Sequence, residues 1–481
     1  MRKFLAMFLA AATAVFACFF VGCEKNGQER STYRIRAEYD EEKGEVSAVL
    51  QFCWKNDTGR SAPELAFNLY GNAFREGARY KPVSPQYASS AYYAGESYGE
   101  MRVNRVSGCN DWEIGGKDAN VLLVRFAEPV GEGAFCDICI EYVLKLAKVN
   151  HRTGIAARSV NLGNFYPIAC VYENGAFAEC EYDAVGDPFY SACADYYVSF
   201  TADEKYSFAA SGACVSAVIS GGKRTNEYRL CNARDFALVI GGEYELLQGK
   251  SGDTPILYYY YDDGNAKQTL SILQDAVSYF SRTYGEYPYE TYTAVQTGFC
   301  YGGMEYPGLS MLSDNLSASG YAYTAVHETA HQWWYAAVGS DPRVHAWQDE
   351  GLAEYSAALF FGSHDYVGLT FSGLCERSRH AYKTYADVQK RLFGKVDTSM
   401  DRKLSEYESE FAYVNIAYHK GLMLFDSLRS ALGDKRFFGG LKKYYSEYGG
   451  KIAAPEDFVR CFSGKGAKDV VQSYVQGGAG I

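Results

Sequence analysis

The stretch from Val326 to Ala357 contains the motif H-E-x-x-H, formed by His327, Glu328 and His331. Residues four apart lie on one face of an α-helix, one turn above the other, so both imidazole rings can reach a single point. This spacing is typical of a Zn²⁺ site in which the intervening Glu lies beside the open coordination position. Because two histidines supply only half of a tetrahedral site, the fold must bring a third ligand to them.

A second helix is expected to supply that ligand. Turn residues separate two helical patterns, predicted over Tyr321–Ala337 and Trp347–Phe361. Glu350 follows the motif after eighteen intervening residues, and two antiparallel helices would face it toward the histidines. Glu354 lies one turn further on the same face. There it either accepts a hydrogen bond from a ligand imidazole or is a solvated helix carboxylate, and the sequence leaves both open.

Length and charge limit the classes of protein to consider. A chain of 481 residues with 48% hydrophobic residues is long enough for two or three domains. Its net charge of -11 argues against a broad nucleic-acid-binding surface. The 43 tyrosines and 28 phenylalanines are interpreted mainly as core and sheet-face residues.

Residues 1–23 have the pattern of a targeting segment. Arg2 and Lys3 precede an apolar run, Phe4–Phe20, of signal-peptide length. The run ends in F-V-G-C, which resembles a bacterial lipobox and predicts a lipoprotein anchored to the membrane through Cys23, outside the cytoplasm. The sequence V-F-A-C ending at Cys18 is an alternative cleavage point, and an uncleaved membrane anchor is an alternative fate of the segment. The polar residues 24–32 are expected to form a tether.

Twelve cysteines follow Cys23. Outside the cytoplasm such a set invites disulfides, but buried free thiols are equally open and no pairing can be assigned. Cys136 and Cys139 lie in an apolar strand pattern without a second C-x-x-C or a histidine pair nearby, so they are interpreted as structural.

The periodicity of the chain changes near residue 247. Before it, alternating patterns such as Tyr33-x-Ile35-x-Ala37 predict strands, and no long helical pattern interrupts them. We therefore expect an N-terminal all-β domain of sandwich type over residues 33–247. After it, a β-rich run, an amphipathic helix over Asn265–Tyr284, a strand and the metal helices predict an α+β catalytic domain over residues 248–481.

Two further segments carry polar groups of interest. The loop Y-G-G-M-E-Y-P-G-L contains Gly302, Gly303, Met304 and Glu305; its glycines allow a backbone to approach, and its carboxylate can hold an ammonium group. Taken alone, it favours a plain glycine-rich turn. The segment Y-V-N-I-A-Y-H-K-G contains Tyr418, whose phenol can donate to an oxyanion, although a tyrosine in this chain is more often packing.

As an ordered set, G-G-M-E-Y-P-G, V-H-E-T-A-H-Q-W-W, D-E-G-L-A-E-Y and Y-H-K-G resemble the aminopeptidase N family of gluzincin metallopeptidases. The segments F-N-L-Y-G-N-A-F and G-N-F-Y-P-I extend the resemblance into the β domain. It implies a saddle-like β-sandwich followed by a thermolysin-like zinc domain.

The resemblance also implies roles for individual residues. One zinc ion would be bound by three side chains, His327, His331 and Glu350. Glu328 would be the general base, and Tyr418 would stabilise the tetrahedral intermediate. The glycine-rich loop would bind substrate, with Glu305 holding the free N-terminal amine of a peptide.

Two departures from that family qualify the expectation. Tyr306 stands where the exopeptidase loop usually has Asn, which leaves the shape of the first side-chain pocket open. The chain ends at Ile481, without the family's large helical C-terminal domain, and a more open cleft would admit longer substrates. A zinc endopeptidase is therefore one alternative, and a non-catalytic lipid-anchored binding protein on a peptidase scaffold is another.

Overall fold

The computed structural model describes residues 30–464 and 466–477. The predicted signal segment, with Cys18 and Cys23, lies outside the described residues and stays a prediction from the sequence. Within the described ranges, no helix combines the length and the apolar character needed to cross a bilayer.

An all-β domain comes first, as predicted. In its first strand the buried residues Tyr33, Ile35, Ala37 and Tyr39 alternate with more exposed ones, which is the pattern of a strand with one face on a core. The strands of this domain are β1 Thr32–Asp40, β2 Glu45–Lys55, β3 Ala62–Asn68, β4 Glu100–Ser107, β5 Asp111–Gly115, β6 Val121–Val130, β7 Phe135–Lys145, β8 Thr153–Ile155, β9 Val160–Leu162, β10 Ile168–Ala169, β11 Tyr172–Glu173, β12 Ala176–Phe177, β13 Ala194–Asp203, β14 Ser207–Ala210, β15 Ala213–Ser220, β16 Lys223–Ala233 and β17 Leu238–Gly241.

These strands form layered sheets around one core. The largest has seven strands in the order β15-β16-β13-β1-β2-β7-β4, and all its pairs are antiparallel except β1 with β13. Two four-stranded sheets have the orders β10-β3-β6-β5 and β14-β17-β9-β8, and β11 pairs with β12. A short α-helix, Ala88–Ala91, also belongs to this domain.

The second domain opens with a five-stranded sheet in the order β18-β19-β20-β22-β21. Its strands are β18 Glu245–Ser251, β19 Thr254–Tyr260, β20 Tyr292–Thr297, β21 Gly303–Met304 and β22 Leu309–Ser313. Strand β18 crosses the boundary predicted at 247/248. Because β18 pairs with β19 along its whole length, the division between the domains falls before Glu245.

Helices make up most of the rest of the second domain. Their bounds are Ala266–Tyr284, Ala318–Ala330, Pro342–His345, Glu350–Phe361, Phe371–Phe393, Glu410–Tyr413, Lys420–Leu432, Asp434–Tyr448, Pro455–Arg460 and Ala467–Val475. We call Ala318–Ala330 the histidine helix and Glu350–Phe361 the glutamate helix. A π-helical segment, Val414–His419, leads into the Lys420–Leu432 helix.

The histidine helix ends at Ala330, well before its predicted end at Ala337. Trp333 and Trp334 are fully buried, and Tyr335 adopts a φ of 129°, which a continuing helix does not allow. The amides of Ala336 and Ala337 then donate to the carbonyls of His331 and Gln332, five residues earlier rather than four. The backbone thus leaves the α-helical hydrogen-bond pattern in a segment whose local sequence pattern would have continued it.

The glutamate helix crosses the Lys420–Leu432 helix at a pair of glycines. A Cβ atom on Gly421 would lie 2.7 Å from the Cα of Gly351, and one on Gly351 would lie 3.0 Å from the Cα of Gly421. Backbones can approach this closely only without side chains. The glycines of D-E-G-L and Y-H-K-G therefore meet, and their contact brings the Tyr418 segment toward Glu350.

The two domains share an apolar core. Met304 and Tyr306 of the second domain belong to the same cluster of buried residues as the β-domain strands. The buried guanidinium of Arg234 reinforces this contact by donating to the carbonyls of Ala336 and Ala337. The segment that follows the histidine helix is therefore fixed against the β domain.

The glycine crossing generates a prediction. Gly421→Ala should lower the free energy of unfolding by about 1–3 kcal/mol, because the added methyl group meets backbone that has no room to yield. Urea denaturation of the full chain measures the change. The matched control is Gly439→Ala, another helical glycine, around which an added Cβ meets nothing within 4 Å. If both variants unfold at the same urea concentration, the contact between Gly351 and Gly421 has room for a side chain and the prediction is wrong.

Candidate metal centre and active site

The histidine helix orients both imidazoles toward one point. It starts after Ser317, whose side chain accepts a hydrogen bond from the Gly320 amide, 3.2 Å away. The Nδ1 atom of His331 lies 2.9 Å from the carbonyl oxygen of Trp334. Because a carbonyl only accepts, Nδ1 carries the proton, and Nε2 keeps its lone pair for a metal.

The glutamate helix delivers the third group. Asp349 precedes it and accepts a hydrogen bond from the Glu350 amide at 2.7 Å, which places Glu350 at the first helical position. The Oε2 atom of Glu350 lies 3.3 Å from Nε2 of His327 and 3.2 Å from Nε2 of His331. The two Nε2 atoms are 3.1 Å apart.

These three atoms fit a zinc ion. Ligand atoms about 2.0–2.1 Å from a tetrahedral Zn²⁺ stand roughly 3.3 Å from one another, close to the three separations observed. The three residues that carry them, His327, His331 and Glu350, are all buried. A set of three protein ligands leaves the fourth position to water or substrate, which is the form of a catalytic rather than a structural zinc site.

Glu354 is buried beside this triad rather than solvated. Its Oε2 atom lies 3.1 Å from Nδ1 of His327, whereas the Nε2 atom of that ring belongs to the triad. The geometry of the pair falls short of a full hydrogen bond, but the distance is short enough for the carboxylate to orient the ring. Burial acts to raise the pKa of Glu354, and the contact with His327 outweighs that effect and lowers it.

Glu328 presents an unpaired carboxylate to the same space. Its Oε2 atom is buried without a hydrogen-bond partner among the described residues. Burial raises the pKa of Glu328 to about 7, while the neighbouring His327 and His331 act to lower it. A carboxylate with a pKa near neutrality is suited to accept and return a proton.

The loop before the histidine helix lies against Glu328. A Cβ atom on Gly303 would overlap the Glu328 carboxylate, so only glycine allows this approach. Gly303 and Met304 form β21, which pairs with β22 and is the outer strand of its sheet. Gly302 and Gly303 line the cavity, whereas Met304 is buried outside it, with its sulfur 3.0 Å from Nε of Arg152.

Glu305 stands in a buried group of carboxylates. Oxygen atoms of Asp187, Glu305 and Glu350 lie within 4.8 Å of one another, and Glu305 is 4% exposed. Burial raises the pKa of Glu305 well above its usual value; His331 opposes this, and Asp187 adds to it. A site of this kind favours a cation that neutralises it.

Asp187 and Arg152 were not identified from the sequence. Both come from the β domain, and the Arg152 guanidinium forms an ion pair with Asp187 inside the cavity. The turn that carries Asp187 packs closely on the second domain, since a Cβ on Gly186 would lie 2.9 Å from the Tyr413 ring. The letters G-D-P indicate a turn, but they do not indicate where Asp187 lies in the fold.

Tyr306 points away from the cavity. Its hydroxyl donates to Oδ1 of Asn164 at 2.7 Å, and Asn164 donates in turn to Asp235 at 2.6 Å. A Cβ on Gly163 would overlap this hydroxyl. Tyr306 therefore does not line the cavity but links the loop to the β domain.

Tyr418 lies on the π-helical segment and lines the cavity. Its ring stacks on His327 with centroids 5.7 Å apart and planes 9° from parallel. Burial, and then the nearby Glu350, raises the pKa of Tyr418, so the phenol keeps its proton and remains a hydrogen-bond donor. π-Helical turns often mark functional sites.

The metal triad, Glu328, Glu305, Glu354 and Tyr418 line one cavity of about 330 Å³ between the two domains. The second domain contributes the metal triad, Glu328, the glycine-rich loop and Tyr418. The β domain contributes a smaller set of lining residues: Tyr87, Arg152, Gly186 and Asp187. A site built from both domains has its shape set by how they pack together.

His345, Cys136 and Cys139 do not line this cavity. His345 contacts Asp401, with Nδ1 2.7 Å from the carboxylate. Cys136 and Cys139 are free thiols on β7 of the β domain. The interpretation of the two cysteines as structural stays a prediction.

Comparison with known proteins agrees with the geometry. Residues 267–476 match the family described as "Peptidase family M1 domain". Aminopeptidase M1-C of Oryza sativa is 24% identical over 257 residues, which are 50% of this chain and 29% of that protein. Leucine aminopeptidase 2 of Candida albicans is 27% identical over 162 residues, 31% of this chain and 26% of that protein. The chain thus spans less than a third of the length of these curated relatives.

Solved structures share the two-domain fold. The M1 zinc metallopeptidase of Deinococcus radiodurans superposes with a TM-score of 0.63 at 16% identity, over 94% of each chain. A mutant of that protein, bound to a Tyr-Ser-Ala substrate, superposes with the same TM-score of 0.63 at 15% identity, over 93% of this chain and 94% of its own. Residues 267–476 of this chain thus match the peptidase family M1 domain, and the chain shares the two-domain fold of the M1 zinc metallopeptidase.

Proposed function

We propose that the protein is a zinc-dependent aminopeptidase that removes the first residue of a peptide. The observation that carries this proposal is the buried carboxylate of Glu305, which stands beside the triad of His327, His331 and Glu350. A peptide's ammonium group at Glu305 would place the first carbonyl near the metal position. The match to the family M1 domain and the structural similarity to the substrate-bound metallopeptidase support the same reaction.

The chain's own groups suit hydrolysis at that carbonyl. Zinc, when bound by the triad, polarises a carbonyl and makes a water molecule more acidic. Glu328 accepts the proton from water and returns it to the departing amine. Tyr418 donates a hydrogen bond to the oxygen that gains negative charge, a contact worth about 2.7–4 kcal/mol in comparable sites.

The outer edge of β21 is suited to position the substrate backbone. Gly303 and Met304 end their sheet, so an extended peptide can add to it on the side away from β22. The ammonium group of the peptide then lies against the Glu305 carboxylate. Without that cation the buried carboxylate stays unpaired, which favours peptides with a free N-terminus over internal peptide bonds.

The proposed base can be tested directly. Glu328→Gln should retain zinc, because Glu328 is not in the ligand triad, but should lose about 10²–10⁴-fold in kcat. Metal analysis and turnover of an aminoacyl amide give the two measurements. Glu408→Gln, at an exposed glutamate outside the cavity, is the control. A zinc-loaded Glu328→Gln protein with substantial turnover would remove Glu328 as the base.

Cleavage should depend on the substrate's free amine. Acetylating the N-terminus of a short peptide should abolish its hydrolysis, since the amide cannot neutralise Glu305. Mass spectrometry of matched free and acetylated peptides shows which are cut and where. Efficient cutting of acetylated peptides would support the endopeptidase alternative, and zinc binding without any cleavage would support the non-catalytic one.

Glu354 should affect metal binding without being a ligand. Glu354→Gln should weaken zinc affinity by about 10–100-fold, because His327 loses the carboxylate that orients it. Competition with a chelating dye measures the affinity, and Glu350→Gln should lose far more. If Glu354→Gln binds zinc as tightly as the parent protein, the carboxylate does not support the ring.

A further inference from the structure

The cavity contains one carboxylate that the proposed reaction does not use. Six of the described residues that line it carry carboxylates. Five of these either have a role in the proposed reaction or contact a basic side chain of the protein: Glu350, Glu328, Glu305, Glu354 and Asp187. The sixth is Glu410, which opens the short Glu410–Tyr413 helix. It was not singled out by the sequence, because it belongs to no motif.

Glu410 is partly buried and incompletely paired. Its Oε2 atom has almost no contact with solvent and no hydrogen-bond donor among the described residues. The backbone of Gly186 donates a hydrogen bond to the Glu410 carboxylate. The neighbouring charges that change the pKa of Glu410 most are those of Asp187, Arg152 and Glu350. An acceptor left unpaired in such a place costs free energy until a donor arrives.

Arg152 does not supply that donor. Its guanidinium donates to the sulfur of Met304 and forms its ion pair with Asp187. It also packs over the Tyr301 ring, with the guanidinium carbon 5.4 Å from the centroid. Burial raises the pKa of Glu410 to about 7, Asp187 acts in the same direction, and Arg152 opposes them only through its field.

The surroundings of Glu410 suit a long cationic side chain. Tyr87 and Tyr301 wall the cavity near Glu410 with edge-to-face rings whose centroids are 4.9 Å apart, and Tyr413 adds a third ring. Aromatic faces pack against the aliphatic stem of lysine or arginine and attract its charged end. Glu410 stands on the Asp187 side of the cavity, and Asp187 lies beside Glu305, the carboxylate proposed to hold the ammonium group.

We propose that Glu410 is a specificity-determining residue that selects peptides whose first residue is lysine or arginine. This inference rests on the proposed aminopeptidase function. With the ammonium group at Glu305 and the first carbonyl at the metal, the first side chain occupies the space walled by the tyrosines and Glu410. A basic side chain pairs the free carboxylate, an apolar one leaves it unpaired, and an acidic one is repelled by Glu410 and Asp187.

The test compares aminoacyl-coumarin amides of Arg, Lys, Leu and Glu with the zinc-loaded full chain. The parent protein should cleave the Arg and Lys amides with a kcat/KM about tenfold or more above that for Leu, and the Glu amide least. Glu410→Gln should lower the Arg-to-Leu ratio about 10–100-fold, the value of a hydrogen bond to a charged group. Glu410→Asp, which keeps the charge, should retain most of the preference.

Glu408→Gln is the matched control, because Glu408 is exposed two residues earlier and does not line the cavity. It should leave the ratio unchanged. Equal losses on all amides in Glu410→Gln, or a parent protein without preference for basic residues, would overturn the inference and leave the aminopeptidase function standing. A parent protein inactive on every amide would overturn the proposed function, and the inference with it.

Dipeptides separate the first residue from the second. Arg-Ala and Ala-Arg carry the same charge on opposite sides of the bond to be cut. The inference expects Glu410→Gln to slow the cleavage of Arg-Ala. If the variant slows only Ala-Arg, the carboxylate faces the leaving side and the assignment to the first residue is wrong.

Discussion

Three ligand atoms from two helices must meet within 3.1–3.3 Å of one another, and the rest of the second domain is arranged around this requirement. The histidine helix and the residue that caps its C-terminal end, His331, supply two of them, and the first residue of the glutamate helix supplies the third. The triad lies among the buried carboxylates of Glu305, Glu328 and Glu354. Such a concentration of negative charge away from water is costly, and a divalent cation compensates it.

Close packing of helices and domains makes this convergence possible. Gly351 follows the ligand Glu350 and touches Gly421, three residues after Tyr418, so one glycine contact sets the distance between the metal triad and the phenol. The β domain completes the cavity from the other side with Arg152 and Asp187. The proposed amine site therefore depends on both domains, although only the second carries the metal motif.

Local patterns predicted most of the elements because their periodicity reflects burial of one face. The alternation over Tyr33–Tyr39 became β1, and the amphipathic pattern after Asn265 became the Ala266–Tyr284 helix. The errors lie where long-range packing overrides the local pattern. The histidine helix ends at Ala330, before a segment whose carbonyls accept from Arg234 of the β domain, and pairing with β19 draws β18 into the second domain.

The amino-acid sequence by itself determined the candidate metal triad, the proposed base and the order of the two domains, because helical spacing and strand alternation are written in neighbouring residues. Only the tertiary structure decided which loop residues enter the cavity. It turned Tyr306 toward Asn164 in the β domain and brought Asp187 and Glu410 together beside the metal triad. Those positions follow from contacts between segments far apart in the chain, which leave no periodic signal in either segment.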